Sequence, residues 1–311
     1  MSNFSEIKDI GQAEELLSLF EKDFPDDTTG LEDMLNQMLD VFFAPNAELT
    51  GNADSFHNFS VSIKKIKRDN QDAYSIVKMG LKAHPANTDL LADALQYGYN
   101  CGQYDECLDW YQSLSAVDKK WWTWRAFSFS IDYLLKQYNS NNESASVEDM
   151  IALAKEYQER LPNEDDAWLS EAEVYASTNQ VEKAIEVLES AIEKKKAGPK
   201  SLLKYADLMI EQGDFEKAQV AVTKMKRDPR TSKSINTSYM YYLDGLCRMS
   251  KIMSSPEFED GEFDEKEILK VYKSFKLSLA MPGLRANVKN DILENIHRLE
   301  LETEVLNPYG M

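Results

Sequence analysis

The sequence predicts an all-α chain of stacked antiparallel helix pairs, and three observations lead there. Apolar residues recur at three- and four-residue spacing almost throughout, while the alternating pattern of strands is scarce. A block of sequence repeats in phase every 34 residues. With only 12 glycines and 9 prolines among 311 residues, the chain is short of the turn formers that a many-stranded sandwich or barrel needs.

Residues 13–24 put Leu16, Leu17, Phe20 and Phe24 on one helical face, and residues 31–43 do the same with Leu31, Met34, Leu35, Met38 and Phe42. Phe56, Phe59, Ile63 and Ile66 continue the pattern. Thr29-x-x-Glu32 and Ser146-x-x-Asp149 read as capping boxes, in which a hydroxyl takes up a backbone N–H of the first turn. Pro25, Pro45, Pro85, Pro162 and Pro229 close helical segments, because proline cannot continue a helix.

The repeat is clearest between residues 166–192 and 200–225. Ala172 and Ala206 stand 34 apart, as do Ala184 and Ala218. Asn179 aligns with Gly213 at the turn between two helices, and Val181 with Phe215 just after it. One period before Ala184 lies Met150, followed twelve residues later by Pro162; the same offset of twelve links Ala73 to Pro85. One period after Ala73 lies Cys107, with Gly102 and Tyr104 at the turn positions. The interval from Cys107 to Met150 is 43, and the polar run NSNNESAS (139–146) takes up the excess as a surface loop.

These residues resemble the tetratricopeptide-repeat family. Trp168, Ala172, Tyr175, Ala184, Leu188 and Ala191 match that family's pattern in the 165–198 unit, and Leu202, Ala206, Gly213, Phe215 and Ala218 in the 199–232 unit. The resemblance covers about 54–232 well and weakens at 233–282, where the insertion SSPEFEDGEFDE falls. It implies a right-handed superhelix, an α-solenoid in which small residues sit where helices cross and each pair buries its apolar face on the next. The expected organisation is an N-terminal helical segment packed on the solenoid (1–50), a repeat domain of about six helix pairs (51–285) and a C-terminal capping helix (286–311).

The resemblance also implies a groove lined by the first helix of each pair. With units starting near 88, 122, 165 and 199, the inward positions fall on Gln96, Tyr99 and Asn100; Ala126, Ser130 and Tyr133; Glu173 and Ser177; and Asp207 and Glu211. Trp122, in the aromatic run 121–138, and Tyr242, in the stripe 239–253, are added as binding anchors, although core packing is the ordinary role of such stripes. The carboxylate-clamp subfamily holds acidic C-termini with lysines and asparagines. Here Glu173 and Asp207 occupy the ninth position of successive units, which rejects such a tail.

Charge narrows the partner. Against 54 Asp and Glu stand 35 Lys and Arg, a net −19, which repels phosphate backbones and anionic membrane surfaces. The clusters at 64–68 and 194–196 read as solvated helix ends. No stretch approaches a membrane span. Cys101, Cys107 and Cys247 make an odd set without CxxC, expected as reduced thiols in a cytoplasmic protein, so the sequons at Asn3, Asn58, Asn142 and Asn236 read as chance matches. His57, His84 and His297 are scattered, no GxSxG, GxxxxGK[ST] or GxGxxG occurs, and EFEDGEFDE (257–265) lacks a calcium loop's leading Asp, where Pro256 stands.

The sequence therefore predicts no metal, no cofactor and no enzyme. It predicts a non-catalytic adaptor or scaffold whose groove binds a basic or aromatic-rich segment of another protein, not nucleic acid or membrane. The alternative is a peptide- or small-ligand-sensing regulator with the aromatic run as its pocket. Acid–base catalysis by pairs such as Asp165/Asp166 is a third reading, supported only by the abundance of acids.

Overall fold

A computed structural model of the chain describes residues 7–45, 47–140, 145–255 and 264–303. The sequons at Asn3 and Asn142, residues 141–144 of the polar loop, residues 257–263 of the acidic run and residues 304–311 lie outside them. The chain divides into two compact units, Met1–Leu153 and Ala154–Met311.

The first unit holds α1 (Ile10–Asp23), α2 (Thr28–Phe42), α3 (Ala53–Lys67), α4 (Asn70–Ala83), α5 (Thr88–Asn100), α6 (Tyr104–Ser115) and α7 (Trp124–Asn139). A 3₁₀ turn, Lys119–Trp121, precedes α7, and α8 (Val147–Arg160) spans the boundary. The second unit holds α9 (Asp165–Ser177), α10 (Val181–Glu193), α11 (Pro199–Glu211), α12 (Phe215–Arg227), the short α13 (Thr231–Ser234), α14 (Thr237–Met253), α15 (Glu265–Ala280) and α16 (Ala286–Thr303). Among the described residues there is no strand, only an isolated parallel bridge between Asp9 and Thr50. No helix among them is long and apolar enough to cross a membrane.

Helix limits follow the sequence signals with one correction. Each of the five prolines stands within three residues of a helix end. Ser146 Oγ accepts from Asp149 N at 3.0 Å, as its capping box requires. Thr29 is not a cap: α2 starts one residue earlier, and the Asp27 carboxylate accepts from Gly30 N at 2.8 Å. A carboxylate in the preceding turn reaches the same free N–H groups, so either residue type could hold that end.

Neighbouring helices pair as α3 with α4 and α5 with α6, then as α9 with α10, α11 with α12 and α14 with α15. The repeat residues form the interior. Trp168, Ala172, Tyr175, Ala184, Leu188 and Ala191 are buried, as are Leu202, Ala206 and Ala218. The turns are equivalent too: Gly102, Asn179 and Gly213 take positive φ of 75°, 59° and 78° just past the first helix of their pairs, the left-handed step that ends a helix and reverses the chain. Hydrogen bonds between successive pairs fall near one period in sequence, as in Thr123 Oγ1 to Asp89 (2.6 Å) and Lys200 Nζ to Asp166 (2.8 Å), both across 34 residues. At the far end, α16 seats Ile292, Ile296 and Leu299 on Met249, Val271 and Phe275 of α14 and α15.

Candidate functional site

In the second unit the first helices of successive pairs, α9, α11 and α14, are neighbours and form one face. Glu173 and Ser177 stand on α9, Asp207 and Glu211 on α11, and Tyr239 and Tyr242 on α14. Ser177 and Glu211 are exposed, and Glu173, Asp207 and both tyrosines are half-buried. Tyr239 Oη donates to Asp207 Oδ1 at 2.7 Å, and Tyr242 Oη donates to Asp291 Oδ2 on α16, also at 2.7 Å. The two tyrosine rings lie 5.6 Å apart. Burial raises the Asp207 carboxyl above its usual range, opposed by the Tyr239 hydrogen bond and by Lys204 and helped by Glu211. A cavity of about 360 Å³ lies between Glu173, Asp207, Lys200, Lys204 and Ile235.

The first unit treats the predicted residues differently. On α5, Gln96 and Tyr99 are half-buried and Asn100 is exposed. The Tyr99 ring packs against Tyr104 (5.0 Å) and receives Lys136 Nζ at 4.3 Å from its centre. Ser130, expected in the groove, is fully buried, and its hydroxyl has no hydrogen-bond partner among the described residues. Trp122 and Tyr133 are buried as well: the Trp122 indole donates to Val117 O at 3.1 Å, and the Tyr133 ring lies 5.3 Å from Tyr111. These three residues are core, not surface, and the cause is register. α5, α9 and α11 start at 88, 165 and 199, the predicted unit starts, but α7 starts at Trp124 rather than 122. With that two-residue shift, Phe127 and Ile131 take the places of Trp168 and Ala172, and the outward positions move to Arg125, Ser128 and Asp132.

Sequence reasoning missed a polar network on the α3–α5–α7 face. Asp93, completely buried, bonds His57 Nδ1 and accepts from Arg125 Nε at 3.4 Å. Its members stand 36 and 32 residues apart, so the repeat period was the one signal that could have linked them. In the second unit the missed residues are Tyr239, Asp291 and Arg285. Tyr239 follows Asp207 by 32 residues. The basic clusters are helix ends, as expected. Lys65 pairs with Glu21 and Lys67 with Asp72 at 2.6 Å, while Lys194 Nζ lies 5.0 Å from the Trp168 ring centre. Among the described residues, no group of three or more His, Cys, Asp or Glu is placed to hold a metal.

Helix pairs recurring at about 34 residues, with small residues at the crossings and a left-handed turn inside the α5–α6, α9–α10 and α11–α12 pairs, define a helical-repeat fold of the tetratricopeptide type. By its fold the chain is a TPR-like protein. It is similar to a tetratricopeptide repeat protein from Parabacteroides merdae at 16% identity and a TM-score of 0.56, over 92% of this chain and 99% of that one. It is similar to yeast Tom70 at 15% identity and a TM-score of 0.57, over 96% of this chain but 60% of the longer protein. Human IFIT1, in a dimer with PPP-AAAA, shares 15% identity at a TM-score of 0.55, over 88% of this chain and 60% of that one. No family model matches the sequence, and no curated protein matches it significantly.

Proposed function

We propose that this chain is a non-catalytic interaction scaffold, and that the α9–α11–α14 face of its second unit binds a basic, aromatic-tolerant segment of another protein. The observation carrying this reading is the set of carboxylates Glu173, Asp207, Glu211 and Asp291 beside the adjoining, tilted rings of Tyr239 and Tyr242. Carboxylates draw a cationic segment in and set its register, and tyrosines add contact area at low entropic cost. The net charge of −19 adds a long-range field of the same sign. That field also weighs against a phosphate-rich ligand such as the PPP-AAAA bound to human IFIT1.

The test is capture of a basic-peptide array by the wild-type chain and by Glu173→Lys/Glu211→Lys. Both positions are at least partly solvent-exposed, so the helical melt should stay within a few degrees. Capture should fall at least tenfold and should weaken as salt is raised. Equal capture by a folded double variant removes the site from this face.

A further inference from the structure

Where α14 meets the start of α16, the second unit carries a further pocket, open to solvent, of about 360 Å³, at the lower end of the ~300–1,000 Å³ typical of small-ligand pockets. Its lining is chemically divided. Asp207 supplies a carboxylate, of which Oδ1 is taken by the Tyr239 hydroxyl while Oδ2 accepts no hydrogen bond among the described residues. Arg285 and Asn287 line the same space, with Leu284 and Val288 as its apolar part. Among the described residues Arg285 makes no ion pair, so a cation and an anion share one cavity without meeting. The loop carrying Arg285 is fixed. Asn236 Nδ2 donates to Gly283 O at 2.9 Å, and Thr237 Oγ1 donates to Met281 Sδ at 3.4 Å. Gly283 takes φ +94°, and a Cβ there would stand 3.1 Å from Asn236 Nδ2, so glycine permits this close seat.

The geometry points to a binding site for a small dipolar molecule of the α-amino acid type, its ammonium on Asp207 and its carboxylate on Arg285 and Asn287. The ammonium would take the Asp207 oxygen that Tyr239 leaves open and the carboxylate would meet the solvent-facing Arg285, while Leu284, Val288 and the Tyr239 ring face the ligand's apolar part. Either a free amino acid or a short peptide with both ends free carries this chemistry. The inference goes beyond the scaffold function and does not depend on it.

Calorimetric and thermal-shift titrations of the full chain with the proteinogenic amino acids, with Gly-X and X-Gly dipeptides, and with N-acetyl and C-amide derivatives test it. At least one free amino acid or dipeptide should bind, and blocking either end should weaken that ligand at least tenfold. Arg285→Ala and Asp207→Asn should each do the same. Preference for the monomer over its dipeptides assigns a metabolite, and the reverse assigns a peptide. Absence of binding across the panel, or binding indifferent to blocked ends and to both variants, overturns the proposal. Arg285 is exposed, so its variant should melt like the wild type. That variant leaves Glu173 and Glu211 intact, so its capture of basic peptides reports on the scaffold reading separately.

Discussion

Asp93 has no exposed surface, yet it carries a charge-bearing group into the interior of the first unit. It is tolerable there because His57 and Arg125 reach it from the helices on either side, whereas a buried carboxylate without partners is strongly unfavourable. Asp93→Ala strands both partners and should cost about 3 kcal/mol in a chemical melt; a loss below about 0.5 kcal/mol would show the network to be dispensable. Asp244 plays the same part in the second unit, receiving Lys226 at 2.6 Å, Arg248 at 3.0 Å and the Ser274 hydroxyl at 2.6 Å. Burial pushes its carboxyl up, but the hydrogen bonds from Lys226, Ser274 and Gln219 outweigh this and hold it below the usual carboxylate range. A folded-state value below the unfolded one means that Asp244 stabilises fully above about pH 4 and that this stabilisation is lost as the pH falls further. Melts between pH 5 and pH 2 should therefore decline less steeply in Asp244→Asn than in the wild type, and parallel curves would contradict this.

Helices here are joined to the next repeat by their ends as well as their faces. Asp165 opens α9, but its carboxylate caps α11 one period on, accepting from Gly198 N at 2.8 Å, Lys200 N at 2.9 Å and Ser201 N at 3.2 Å. Gly198 allows this approach, since a Cβ there would lie 2.5 Å from Asp165 Oδ2. Asp165→Ala leaves those N–H groups unpartnered and should cost about 1–2 kcal/mol, with hydrogen exchange accelerated in the first turn of α11; unchanged exchange there would remove the capping role. The α7 segment shows where an element escapes sequence. Its aromatic run offers two apolar stripes, one through Trp124 and Phe127 and one through Trp122 and Tyr133. Periodicity cannot choose between them. The helix begins at Trp124, after the Lys119–Trp121 turn and an extended Thr123 whose side chain makes no cap hydrogen bond, so no side-chain cap marks the start in the sequence.

At the scale of the whole chain, the 34-residue period made the fold legible, because residues such as Trp168, Ala172 and Ala184 are what the helix crossings demand and they recur in sequence. The buried positions of the 165–198 and 199–232 units were readable for that reason. The polar constellations were not. Asp93 with His57 and Arg125, or Asp207 with Tyr239 and Arg285, draw single residues from elements about one repeat or more apart, and any acidic surface offers many equivalent candidates. The central claim is that the first-helix face of the second unit grips a basic segment. Hydrogen exchange of the chain with and without a captured basic peptide tests it most directly. Protection should rise in residues 165–177, 199–211 and 237–253; protection confined to 181–193 and 215–227, or none at all, would contradict it.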